Sequence, residues 1–278
     1  MRFSRRWIRK SSRKVVFTAE EPRTRRKLRS ERNILLSGFL CVPGVAAVKG
    51  FSMNLLILGR GKTGALVAEV ARSRRHHVGV LSAAENSDTE ALTPDALAGI
   101  DGVIDFTTPA AVVANAEACI RAKTNVVIGT TGWYDHVPRL REMVLAANTG
   151  FLYGPNFSIG VNLFFEIVAT AGAALKYEYS GQIFERHYAQ KKDAPSGTAI
   201  TIQKIVRESG GKEVEIVSFR EGDAVGMHEV VLNSVGDSLY LCHDAKSRQG
   251  YAEGAVRAAE WLTGKTGFYE FRNVWREL

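Results

Sequence analysis

Asn54–Val70, NLLILGRGKTGALVAEV, is the stretch whose reading decides the fold. Asn54–Leu58 is a short, nearly continuous apolar run, the pattern of a strand buried on both faces. Gly59-Arg-Gly-Lys-Thr-Gly64 follows, then a helical pattern over Ala65–Ser73 and a second short strand at Val78–Leu81. The spacing is that of a βαβ unit with G-x-G-x-x-G at its strand-to-helix turn. Gly59 permits the sharp turn, Gly61 lets backbone N–H groups approach a pyrophosphate, and Gly64 lets the helix lie close to the sheet. Glycines alone also mark tight structural turns. A strand before them and a helix after them select dinucleotide binding.

Outward from this unit the alternation continues. Thr93-Pro94 opens a short helix as N-cap and first-turn proline. Gly102–Phe106, Asn125–Gly129 and Gly150–Tyr153 read as strands, with helices at Ala110–Lys123 and Asp135–Ala147. The class is α/β, with a Rossmann-like doubly wound parallel sheet. Ligands are expected at the carboxyl ends of its strands: 59–64, Thr107–Pro109, Gly129–Gly132 and Gly154–Phe157. After a helix at Val161–Ala174 the rhythm changes. Strands at Tyr179–Glu185, Val214–Arg220, Glu229–Ser234 and Ser238–His243, with helices at Thr198–Ser209 and Tyr251–Thr263, predict an α+β domain with a mixed or antiparallel sheet. The expected organisation is a dinucleotide-binding domain over 53–155 and a substrate-binding and oligomerisation domain over 156–250. A helix and tail over 251–278 should return to the first domain, because Phe268, Tyr269, Phe271 and Trp275 need burial.

The net charge of +8 invites a nucleic-acid reading, but its distribution argues against one. Residues 1–52 hold 14 Lys and Arg against 3 Asp and Glu; the remainder holds 23 against 26. The folded body is slightly acidic and ill-suited to a phosphate backbone. Within 1–52 the apolar run Ile34–Val48 is broken by Pro43-Gly44 and too short to span a bilayer, which needs about 20 residues. The basic region before it is long for a signal peptide, and Glu20, Glu21 and Glu31 are unlike a transit peptide. The expectation is a disordered extension upstream of a natural start at Met53, with no membrane partner. Cys41, Cys119 and Cys242 are odd in number and widely spaced, neither a disulfide framework nor a metal set. They read as buried free thiols of a reducing compartment, the cytoplasm.

The densest polar segment is Glu185-Arg-His-Tyr-Ala-Gln-Lys-Lys-Asp-Ala-Pro-Ser-Gly-Thr198. It leaves a strand and turns through Ala194-Pro195 into a helix that starts at Ser196, Gly197 and Thr198. Free N–H groups and hydroxyls there make an anion seat, reinforced by the helix dipole. His187 and Lys191 put a proton donor and a cation beside it. The set suits a carboxylate substrate whose reduction needs a proton as well as a hydride. A solvated charged loop before a well-capped helix would use the same residue types. The glycine- and threonine-rich loops of the first domain favour the chemical reading.

The run E-R-H-Y-x-x-K-K-D-A-P-S-G-T-A (Glu185–Ala199) resembles the signature of the 4-hydroxy-tetrahydrodipicolinate (dihydrodipicolinate) reductase family. In order along the chain, Gly59–Gly64, I-D-F-T-x-P (Ile104–Pro109), I-G-T-T-G (Ile128–Gly132), P-N-F-S-I-G-V-N (Pro155–Asn162) and G-A-V-R-A-A-E-W-L (Gly254–Leu262) are similar to the same family. The resemblance spans Met53–Leu278 and none of 1–52. It implies NADH- or NADPH-dependent reduction of the dihydrodipicolinate ring system on the route to diaminopimelate and lysine, by a homotetramer built through the second domain's sheet. It further implies that His187 is the catalytic proton donor and acceptor and Lys191 the second donor. Ser196, Gly197 and Thr198 would hold a substrate carboxylate. Gly59, Arg60, Gly61, Lys62, Thr63 and Gly64 would hold the pyrophosphate, with Gly129, Thr130, Thr131, Gly154, Pro155, Asn156 and Phe157 around ribose and nicotinamide. Two departures stand out. Tyr188 replaces the second histidine of a usual pair, with a phenol that can still contact a carboxylate. Ser82 stands where an acid commonly closes the second strand against the adenosine ribose, with Glu85 three residues on.

A related Rossmann amino-acid dehydrogenase would need another acid–base pair in place of the D-A-P-S-G-T turn, and none is evident. A non-catalytic NAD(P)-binding sensor would have lost His187 or Lys191; both are present. No metal ligand set is expected. His76-His77 read as a helix end, and Met227-His228-Glu229 as the entrance to a strand.

Overall fold

In the computed structural model, which describes residues 52–278, the apolar run forms β1 (Asn54–Leu58), with Leu55, Ile57 and Leu58 at most 1% exposed. The basic segment before it, with Cys41 and the disorder and start-site expectations, lies outside the described residues. Helix α1 (Lys62–Ser73) begins directly at the glycine turn, three residues earlier than its apolar periodicity shows. It leads to β2 (His77–Leu81). A short α2 (Pro94–Leu97) starts behind Thr93, whose hydroxyl accepts the Ala96 N–H at 3.2 Å. Then come β3 (Gly102–Asp105), α3 (Pro109–Arg121), β4 (Val126–Ile128), α4 (Val137–Ala147) and β5 (Gly150–Tyr153). All neighbouring strands of this sheet pair in parallel, with β1 between β2 and β3. The reversal of strand order beside β1 opens the crevice in which such sheets bind ligands.

Helix α5 (Ile159–Gly172) opens the second domain, capped by Ser158. Its sequence, extended to Lys176, is apolar and long enough to cross a membrane, yet Val161, Phe164, Phe165 and Val168 are buried against Ile202, Ile205 and Val206. Those three belong to α6 (Gly197–Gly210), and the two helices cover one face of a four-stranded sheet. Its strands are β6 (Ser180–His187), β7 (Glu215–Arg220), β8 (Gly226–Asn233) and β9 (Ser238–Ala245), in the order β7-β6-β8-β9. Only β6 and β7 run parallel, joined by the α6 crossover; the other pairs are antiparallel, so the sheet is mixed. β8 starts three residues earlier than its β-branched run implies, which brings His228 into the strand. Among the described residues the opposite face has no covering helix, and it carries exposed Phe219 and Tyr240. Cys242, on the outermost strand β9, is exposed, which corrects the expectation of buried thiols; Cys119, inside α3, is buried.

The chain then returns. Helix α7 (Gln249–Leu262) lays Ala252, Ala255, Val256 and Ala259 against Val67, Ala68 and Ala71 of α1. Small residues allow the close approach; at Gly254 a Cβ would stand 1.8 Å from the Phe157 carbonyl oxygen, so no side chain fits. Arg74 and His76 both bind Glu260 at 2.6–2.8 Å and fasten α7 to the end of α1. His76 therefore serves this join. Strand β10 (Gly267–Glu270) pairs in parallel with β5 as the sixth strand of the first sheet, and α8 (Phe271–Val274) buries Phe271 beneath it. The terminal aromatic segment thus joins the sheet itself, a strand its pattern does not announce.

Candidate active site

The glycine turn closes on itself. Gly59 has φ +104°, and a Cβ there would lie 2.4 Å from the Phe106 carbonyl oxygen; at Gly64 it would lie 2.1 Å from the Gly59 oxygen. Gly61 faces open space, and as N-cap of α1 it provides no side-chain hydrogen bond to the helix's first N–H groups. Those donors, with the positive end of the helix dipole, fit a pyrophosphate. A cavity of about 440 Å³ lies there, lined by Gly61, Lys62, Thr63 and Gly64 and by Thr130 and Thr131. Its far wall is held by Asp105, which is fully buried. Asp105 accepts the Thr107 N–H and hydroxyl at 2.8 and 2.6 Å, the Thr130 hydroxyl at 3.0 Å and the Asn115 amide at 2.8 Å. Burial pushes its carboxyl up, and these hydrogen bonds oppose the shift.

At the adenosine end of such a site, Ser82 is not free. Its N–H and hydroxyl both donate to Glu85 Oε2, at 2.8 and 2.6 Å, while Arg60 Nη2 reaches Glu85 Oε1 at 3.1 Å. The loop folds back and sets a carboxylate at the end of β2. Hydrogen bonds from Ser82 hold that carboxyl below its ordinary value.

On the second domain, β6 ends at His187 and α6 starts at Gly197 behind Ser196. Ser196 is 3% exposed; its Oγ accepts the Ala199 N–H at 3.2 Å and sits 3.1 Å from His228 Nε2. Its Oγ caps the helix as an acceptor, and Ser196 lines the cleft beside Gly197 and Thr198. The first intrahelical bond of α6 runs from Ile200 N–H to the Ser196 carbonyl, so the Gly197 and Thr198 amides precede it. Lys191 Nζ donates to both carboxylate oxygens of Asp193, at 2.6 and 2.8 Å.

Behind this wall lies Glu185, fully buried. Its Oε1 accepts from Ser196 N–H at 3.0 Å, Ser218 hydroxyl at 2.6 Å and Arg220 Nη2 at 2.7 Å. Its Oε2 stands 3.1 Å from His187 Nδ1 and 3.9 Å from His228 Nε2. Burial pushes the Glu185 carboxyl up, but the hydrogen bonds from Ser196, Ser218 and Arg220 outweigh it and hold it at about 2. Burial lowers His187, against the pull of Glu185. Burial drives His228 down to about 3, and His187 adds to that shift. Glu185, His187 and His228 present ligand-type atoms within 4.8 Å of one another, an arrangement able to hold a metal ion. Sequence spacing hides this set because its members come from β6 and β8.

A cavity of about 530 Å³ brings the two walls together. His187, Lys191 and Thr198 line it from one side, Thr131, Pro155 and Asn156 from the other. It shares Thr63, Thr131, Tyr188 and Arg248 with the glycine-turn cavity. Gly129 lines the latter, where a Cβ would strike the Phe106 ring at 2.2 Å. Some expected contacts lie elsewhere. Phe157 is 1% exposed and packs 4.6 Å from Phe271, so its side chain belongs to the core. Gly154 abuts Phe271 Cβ, and Gly59 lies under the turn; both shape backbone only. Sequence reasoning missed Asp105, Glu185, His228 and Arg248. Arg248 precedes α7 and lies over the Tyr188 ring at 5.9 Å.

The glycine turn on one wall of the cleft and His187, Lys191 and the start of α6 on the other have the layout of a nucleotide-dependent oxidoreductase. Family models described as "Dihydrodipicolinate reductase, N-terminus" and "Dihydrodipicolinate reductase, C-terminus" match residues 53–157 and 160–275. A 4-hydroxy-tetrahydrodipicolinate reductase of Christiangramia forsetii is 36% identical over 240 residues, covering 81% of this chain and 99% of its own. One from Neisseria meningitidis is 33% identical over 263 residues, covering 80% and 97%. A solved dipicolinate-bound dihydrodipicolinate reductase from Paenisporosarcina sp. TG-14 shares the fold, with a TM-score of 0.65 at 22% identity, over 80% of this chain and 99% of its own. The chain belongs to the 4-hydroxy-tetrahydrodipicolinate reductase family.

Proposed function

We propose that His187 and Lys191 supply the proton chemistry of this enzyme, and that the Gly197–Thr198 helix start seats a carboxylate of its substrate. The reaction is NAD(P)H-dependent reduction of 4-hydroxy-tetrahydrodipicolinate to tetrahydrodipicolinate, in diaminopimelate and lysine biosynthesis. Exchange of a hydroxyl for hydrogen consumes one hydride and one proton and releases water. Bound NADH or NADPH supplies the hydride. The chain's own residues do the rest. The α1 start and Lys62 neutralise the pyrophosphate, and Asp105 keeps Thr107 and Thr130 in place across the cavity. The Gly197 and Thr198 amides and the Thr198 hydroxyl orient one carboxylate; Arg248 and Tyr188 face the cavity as partners for the other. The observation that carries this reading is the single cavity in which His187, Lys191 and Thr198 meet Thr131 and Asn156.

Residues 53–155 then bind the cofactor, 156–250 bind substrate and assemble the oligomer, and 251–278 complete the first domain. The face of the second sheet that bears Phe219, 41% exposed, and Tyr240, 66% exposed, has no covering helix among the described residues and suits a homotetramer; the compartment proposed is the cytoplasm. A purified-enzyme assay tests the function. A dihydrodipicolinate-forming synthase feeds the reaction, and NAD(P)H absorbance is followed with each cofactor separately. Consumption strictly dependent on the synthase supports the reading. Its absence with both cofactors contradicts it.

A further inference from the structure

We propose that Tyr251 is a further substrate-binding residue, whose phenol donates its proton to the carboxylate opposite the one seated at the start of α6. This rests on the reading of the Gly197–Thr198 helix start as a carboxylate seat. Helix α7 begins at Gln249, behind Arg248, and Tyr251 lies in its first turn. That turn is pressed onto the segment after β5. A Cβ at Gly254 would stand 1.8 Å from the Phe157 carbonyl oxygen, and one at Gly250 would stand 3.3 Å from Ser158 Oγ. The close approach brings the Tyr251 hydroxyl to Asn156, whose Nδ2 donates to it at 3.1 Å. The direction of that bond is fixed. Asn156 is buried and its Oδ1 accepts the Ser158 N–H at 2.9 Å, so only the amide's NH2 end faces the phenol. The phenol oxygen is therefore the acceptor, and its own proton points elsewhere. No protein acceptor for it is present among the described residues.

The cavity decides what that proton meets. Tyr251 and Asn156 line the cleft of about 530 Å³ together with His187, Lys191 and Thr198, and neither lines the glycine-turn cavity. The phenol thus serves the substrate side. A dicarboxylate held at one end by the α6 start has a second carboxylate to place, and a charged group drawn out of water without a partner costs binding. Arg248, three residues before Tyr251, lines the same cleft and supplies positive charge. Burial pushes the Tyr251 phenol up, against the Asn156 hydrogen bond and the Arg248 charge, so it stays a neutral donor near pH 7. One cation and one oriented O–H at the start of α7 give the second carboxylate two partners. A phenylalanine would fill the same space; only the hydroxyl answers both Asn156 and the cleft.

The test compares the full-length wild type with Tyr251→Phe, which keeps the ring and removes the hydroxyl, and with Thr198→Val. Steady-state assays give kcat and KM for the dicarboxylate; quenching of protein fluorescence gives NAD(P)H affinity. A hydroxyl that holds the carboxylate alike in the ground and transition states should, when lost, raise KM about tenfold and leave kcat and NAD(P)H affinity within about twofold of wild type. A role confined to holding Asn156, or to the nicotinamide, would show as a lower kcat or weaker NAD(P)H binding at an unchanged KM, and that result overturns the proposal. An unchanged KM in Tyr251→Phe beside a raised KM in Thr198→Val overturns the role of Tyr251 and leaves the α6 seat standing. An unchanged KM in both variants overturns the seat as well, which separates the two ideas.

Discussion

Replacing His228 by Gln should change how stability depends on pH more than it changes stability at neutral pH. The His228 ring is 4% exposed and is held down at about 3, against 6.5 for a free histidine, first by burial and then by His187. The sign follows from the protons bound in each state. Above pH 6.5 neither the folded nor the unfolded ring is charged, and the buried neutral ring costs nothing through linkage. As pH falls below 6.5 the unfolded chain gains a proton that the folded one refuses, so stability is lost down to about pH 3. One unit of pKa difference is worth about 1.4 kcal/mol, so about 2 kcal/mol of the stability present at pH 8 is gone at pH 5 on account of this ring. Gln cannot titrate. At pH 8 the variant should be the less stable protein, having lost packing and the contact with Ser196. At pH 5 the gap should narrow by about 2 kcal/mol. Urea unfolding of both proteins at the two pH values, at one protein concentration, measures it, and the other lowered histidines, His187 and His243, largely cancel in the comparison. A gap that stays constant within a few tenths of a kcal/mol would refute the buried, neutral state assigned to His228.

Two further outcomes are expected. Thr198→Val removes a hydroxyl from the anion seat and should raise KM for the dicarboxylate about tenfold or more, the scale of one lost hydrogen bond to a charged group, with NAD(P)H affinity unchanged; an unaltered KM in steady-state assays removes Thr198 from the seat. Glu85→Gln should raise kcat/KM for NADPH more than for NADH, because it removes the carboxylate at the end of β2 and frees Arg60 for a 2′-phosphate, whereas Arg60→Ala should lower NADPH use. An unchanged NADPH-to-NADH ratio in both variants would place the adenosine ribose elsewhere.

Much of this architecture is legible because its signals are local. The glycine turn, the β1 run and the Ser196 cap each lie within a few consecutive residues, so period and capping chemistry show them. What the sequence conceals is assembled across the chain. Glu85 reaches Ser82 only because the loop folds back, a contact that the position directly after β2 does not report. His228 occupies an inward position of β8 beside apolar neighbours and resembles a core residue until β6 and α6 place Glu185 and Ser196 against it. Phe157 lies beside Asn156 in one motif, yet Asn156 lines the cleft and Phe157 fills the core beneath α7. β10 is four residues long and pairs with a strand more than a hundred residues earlier, which no local period reports.

The central claim is that His187 donates the proton during nucleotide-dependent reduction, and single-turnover and steady-state kcat of His187→Gln test it most directly. The account predicts a fall of about 10²–10⁴-fold in kcat, the usual contribution of a general acid, with cofactor affinity, read by quenching of protein fluorescence, unchanged. A variant within threefold of the wild-type kcat would contradict it.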